Sequence, residues 1–277
     1  MKKIIYLFIF LLFFAQKTFA TVYTKEQIKE VLNSVNNYNS FVQITDAYPM
    51  FTGTKKKILI RHFQDIYKDG TYIDYIADQF VKAGLNNDQN PIYKNRDMGN
   101  VARDFGATLA GSLLPKGLSR LDFEGQKYFI NHIALLLSVA DDKQCASYLF
   151  PERFKQNNAI EESMIEMALL SNLPDEYIEK YFIFSRKAML AEILDSPMRR
   201  VPSKSEIEFS TNAYELKYEE LFLKHPNMVG MANYFNNPNS LDYKSACDVG
   251  HLGMDALLAL EGNMQVWYMK FFIIQMQ

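Results

Sequence analysis

The chain has 277 residues, 30 basic against 32 acidic side chains, and a formal net charge of −2 with neutral histidines. That balance leaves no dense Lys/Arg face of the kind sequence-independent nucleic-acid binding requires. A 48% hydrophobic content with 21 Phe and 17 Tyr argues against disorder and is ample for one large core or two small ones.

The first twenty residues have the pattern of an export signal. Lys2 and Lys3 precede an unbroken apolar run from Ile4 to Ala15, followed by Gln16, Lys17 and then Thr18-Phe19-Ala20. This is a positive n-region, an apolar h-region and a small-x-small cleavage site. As a helix the run measures roughly 18 Å, well short of a bilayer core of about 30 Å. We therefore expect a cleavable secretory signal peptide over 1–20, cut between Ala20 and Thr21. A mature helical domain over 21–277 would then work in the periplasm or outside the cell. No cysteine stands at the cut, so no lipoprotein anchor is expected. Losing Lys2, Lys3 and Lys17 leaves 27 of the 30 basic residues against 32 acidic ones, a mature charge of −5. No later apolar run is long enough to span a membrane.

Beyond residue 20 the dominant apolar period is helical. Thr24 and Gln27 form a capping box ahead of Ile28, Val31, Leu32 and Val35, and Asn36–Asn39 break the pattern. Phe41, Ile44 and Ala47 suggest a short second helix. Ile58, Leu59, His62, Phe63 and Ile66 mark a third, ended by Asp69-Gly70. Ile73, Ile76, Phe80 and Val81 are the expected inner face of Tyr72–Ala83, with Gly84 as C-cap. Asn86–Asn95 reads as a surface loop. Asp97–Leu114 carries Ala102, Gly106 and Ala110 four apart, and Pro115 with Gly117 are expected to break it.

Asp122 should N-cap a strong helix through Tyr128, Phe129, Ile133, Leu136 and Leu137. Asp141-Asp142 opens the short helix of Cys145 and Leu149. Further helices are expected over Ile160–Leu170 and from about Asp175 towards Leu194, with Pro174 at the first turn. Tyr181-Phe182-Ile183-Phe184 imitates a strand, but its flanks are helix formers. Asp195–Ser205, with two Pro and two Arg, is the candidate hinge. Glu206–Lys224 (Tyr214, Tyr218, Leu221 and Phe222 inward), Leu241–Leu260 and a closing helix through Trp267, Phe271 and Ile274 complete the chain. No hairpin signal occurs. The fold class expected is all-α, an array or bundle of roughly ten to twelve short amphipathic helices.

Only Cys145 and Cys247 remain after the signal, and an even pair in an exported chain reads as one disulfide. Its loop of about a hundred residues would stabilise the fold by up to about 4.7 kcal/mol in the chain-entropy model.

Motifs of catalysis are missing. His62 and His132 sit among apolar helical residues as core histidines, and His225 sits at a helix end before Pro226. His251 lies one turn after Cys247, a thiolate–base pair only if Cys247 is free. Glu162 and Glu166 share a helix face, but the Glu-x-x-His pattern of di-metal bundles fails, so they read as a solvated face. There is no G-x-S-x-G elbow, and Ser112 stands where the P-loop lysine would be. No cofactor and no metal are expected. Arg199 and Arg200, between Pro197 and Pro202, are the candidate partner contact for an acidic group.

These features suit a non-catalytic binding protein with a protein partner in the envelope, of inhibitor, immunity or assembly type. The alternatives are an envelope hydrolase using a lone carboxylate, with Glu124, Glu162 and Glu261 formally available, or a small-molecule or lipid carrier.

Overall fold

The helical spacing is realised along the chain. The computed structural model describes residues 21–34, 41–42, 45–93, 96–154, 159–237 and 240–276. Among them are twelve α-helices and no strand; the sole β feature is an isolated bridge between Val22 and Asn87. The expected signal segment through Ala20, Val35, the Asn36–Asn39 break and Ile44 lie outside the described residues.

The helices are α1 (Lys25–Ser34), α2 (Gly53–Lys68), α3 (Gly70–Lys82), α4 (Met98–Leu118), α5 (Phe123–Ser138) and α6 (Asp142–Leu149). They continue with α7 (Ala159–Ser171), α8 (Asp175–Ile193), α9 (Lys204–Lys224), α10 (Met228–Asn236), α11 (Tyr243–Leu258) and α12 (Gly262–Gln275). No helix among the described residues is long and apolar enough to cross a membrane.

Capping chemistry sets most of these starts. The backbone N–H of Gln27 donates to Thr24 Oγ1 and that of Thr24 donates to Gln27 Oε1. Asp141 with Gln144 and Ser203 with Glu206 form the same reciprocal pair before α6 and α9. Asp69, Asp122 and Asp242 cap α3, α5 and α11. Gly84 ends α3 at φ +67°, with the Leu85 N–H reaching Phe80 O and the Gly84 N–H reaching Val81 O, a Schellman closure.

Two expectations change. Val81 is exposed, because it lies about 100° around the helix from Phe80 and past the buried Ile73–Ile76–Ala77–Phe80 stripe. Pro115 and Gly117 do not break α4, which runs on to Leu118. Proline at 115 removes the donor to the carbonyl of Gly111, which belongs to an exposed residue, so the helix continues without burying an unpaired acceptor deep in the core. Gly117 marks a close approach, since a Cβ there would collide with the Ala188 carbonyl of α8.

The chain divides into two compact units. The first holds residues up to 37 and 67–109. Within it α1 packs on α3 through Ile28 and Leu32, and Lys25 and Lys29 both reach Asp74 at 2.9 Å. The Thr21 backbone nitrogen donates to Asp88 Oδ1 at 2.9 Å.

The second unit holds 38–66 and 110–277. Its core centres on α5, whose Phe129, Ile130, Ile133 and Leu137 meet residues of α11 and α12. Leu136 turns instead to Leu59, Leu169, Leu170, Ile178 and Phe182. The Asp195–Ser205 segment lies inside this unit, and Asp195 adopts φ +50° beside Arg120. The Arg120 side chain, 9% exposed, also donates to Glu192 at 2.6 Å and to the Pro197 carbonyl.

Candidate functional site

The site begins at the covalent staple. Cys145 on α6 and Cys247 on α11 are disulfide-bonded, with Cα atoms 5.4 Å apart. Gly250, less than one turn further along α11, admits Leu149 into space that a Cβ would fill. The two helices are therefore held together both covalently and by close packing.

Beyond this crossing a groove of about 510 Å³ opens. Leu149 and Phe150 form one wall, and Val249, Gly250, Gly253 and Met254 of α11 form the floor. Tyr214, Glu215 and Tyr218 of α9, Phe235 of α10 and Phe272 of α12 complete it. Gly253 keeps it open: a Cβ there would already lie 3.2 Å from the Tyr214 hydroxyl. The Tyr214 ring stacks on Tyr268 at 4.2 Å and 13°, which fixes its orientation.

Polar groups in the groove are few. Tyr218 has a buried hydroxyl with no hydrogen-bond partner among the described residues, and burial pushes its pKa up to about 12. Burial also raises Tyr214. An apolar concavity with one or two placed polar atoms is the usual form of a ligand site, and the volume lies within the usual span of about 300–1,000 Å³.

No family model, curated protein or solved structure matches the chain.

The residues singled out in the sequence are distributed as follows. Cys145 and Cys247 are oxidised, so Cys247 offers no nucleophile in this state. His251 is half-buried beside them. Arg199 donates to Glu192 at 3.1 Å and shares that carboxylate with Arg120, while Arg200 reaches Glu206 at 3.0 Å and remains 64% exposed. Glu124 is exposed in the first turn of α5, and Glu261 is exposed at the N-cap of α12. The side chain of Glu162 lies outside the described residues.

Glu166 corrects the solvated-face reading. Its half-buried side chain accepts a 2.7 Å hydrogen bond from Tyr181. Burial raises its pKa, and the Tyr181 bond partly opposes that. It does not line the groove. His132 is fully buried, stacks on Tyr181 at 4.1 Å and contacts the Tyr177 hydroxyl at 3.3 Å. His62 stacks on Phe182, and its buried Nδ1 has no partner among the described residues. Burial lowers both imidazoles to about 3.

Sequence reasoning missed the groove. Gly250 and Gly253 inside an otherwise helical segment were the readable signal, because an interior glycine costs about 1 kcal/mol and implies a packing reason. The unpartnered hydroxyl of Tyr218 had no signature, since it depends on which rings surround it.

Proposed function

We propose that this chain is an exported, non-catalytic binding protein, and that the aromatic groove beside the disulfide seats an apolar anchor of a protein partner. The observation that carries the reading is the groove itself: open, ring-lined, kept clear by Gly253, and holding an unpartnered Tyr218 hydroxyl. Its apolar surface favours a partner, because α9 and α10 also expose Leu216, Leu223, Val229 and Phe235. Aromatic pockets of this kind form the energetic centres of protein interfaces.

Two observations support export. The Cys145–Cys247 disulfide belongs to oxidising compartments. The Thr21 nitrogen faces the Asp88 carboxylate, so cleavage after Ala20 would create an ammonium with its counter-ion already in place.

Filling the groove tests the function. Gly253→Leu places a side chain where Tyr214 bounds the space and improves helix propensity. Partner capture by the wild type and its loss in Gly253→Leu are expected; equal capture by both would sink the proposal. The volume alone favours a second reading, in which the groove carries a small apolar molecule. Solvent extraction of purified protein followed by mass spectrometry distinguishes the two.

A further inference from the structure

The disulfide has a third neighbour. His251 follows Cys247 by four residues on α11, one turn along the same face. A ring nitrogen of His251 and both sulfur atoms lie within 4.8 Å of one another. The His251 side chain is half-buried and hydrogen-bonds to no described residue, whereas Cys145 is fully buried and Cys247 is 5% exposed. A free imidazole thus lies against two sulfurs carried by two helices.

While the sulfurs are bonded to each other they are poor metal donors. Reduction changes their chemistry. A dithiol attacks one sulfur as thiolate, the resulting mixed disulfide is resolved by its second thiol, and the products are two cysteine thiols and one cyclic disulfide. Two thiolates and an imidazole form a donor set that suits a soft or borderline d¹⁰ cation. Around a tetrahedral zinc ion with Zn–S about 2.3 Å the sulfurs would stand about 3.8 Å apart. Side-chain rotation between Cα atoms 5.4 Å apart can supply that separation.

We propose that the reduced chain binds one zinc-class cation through Cys145, Cys247 and His251, releasing the two thiol protons and leaving a fourth position open. The same helices are then joined either by a disulfide or by a metal, according to the redox state. This requires nothing of the groove, so its failure would leave the binding function untouched.

The test uses the full chain, reduced anaerobically with a trialkylphosphine that becomes its oxide by taking oxygen from water. Cobalt(II) is the probe, followed by zinc. The expected result is one cobalt per reduced chain, with the visible bands of a tetrahedral ion and sulfur-to-cobalt charge transfer, displaced by zinc and absent from the oxidised chain. His251→Asn keeps both thiols, and its affinity should fall by at least about tenfold, the scale set by the loss of outer-sphere partners alone. Should reduction loosen the fold, stoichiometric zinc must restore the helical circular dichroism. Absence of stoichiometric cobalt, affinity unchanged by His251→Asn, or failure of zinc to restore the helix would each overturn the proposal.

Discussion

At the scale of single residues, the notable groups are buried polar atoms without partners. The Tyr218 hydroxyl lines the groove with no acceptor among the described residues. Removing it therefore loses no hydrogen bond and relieves a desolvation cost of about 1–3 kcal/mol. Tyr218→Phe should raise the urea midpoint of the ligand-free protein while weakening partner binding; a lower midpoint would show that the hydroxyl has a partner after all. The buried imidazoles contribute to the acid limb of stability. His62 and His132 have folded pKa values near 3 against an ordinary value of 6.5. Below 6.5 the unfolded chain takes up protons that the folded chain refuses, so stability falls as pH drops from about 6.5 towards 3. The limiting slope is about 1.4 kcal/mol per pH unit for each histidine. Denaturant titrations between pH 7 and 4 should show this fall, and His132→Gln should flatten it; an unchanged slope would mean that His132 does not supply it.

Among the helices, the starts and the helical character were the readable part. Thr24/Gln27, Asp122 and Asp141 are cap residues whose effect is local, so spacing alone located α1, α5 and α6. Pro115 and Gly117 were misread because their consequence depends on what lies outside the helix. The acceptor that Pro115 abandons belongs to an exposed residue, and Gly117 answers to the backbone of α8, 71 positions later. Glu166 was misread for the same reason, since its partner Tyr181 lies on the next helix. Gly117→Ala places a methyl group against the Ala188 carbonyl, which cannot swing aside as a side chain can. A loss of about 1–3 kcal/mol is expected from such overpacking, read by chemical denaturation. A gain, as helix propensity alone would give, would refute the close approach.

For the whole molecule, the all-α class and the Cys145–Cys247 pairing followed from composition, period and an even cysteine count, whereas the groove did not. It is assembled from α6, α9, α10, α11 and α12, so no window of sequence contains it. Reduction of the metal-free protein removes a link that closes a 102-residue separation and should cost about 4 kcal/mol, measured as the shift between oxidised and reduced unfolding curves. Coincident curves would show that the link does not restrain the unfolded chain.

Binding through the groove is the central claim, and a photo-reactive benzoylphenylalanine placed at Phe235, 53% exposed at the groove edge, tests it most directly. Irradiation in the producing cells should give one discrete adduct with another protein, and Gly253→Leu in the same chain should abolish it. No adduct, or one indifferent to the filled groove, would contradict the account.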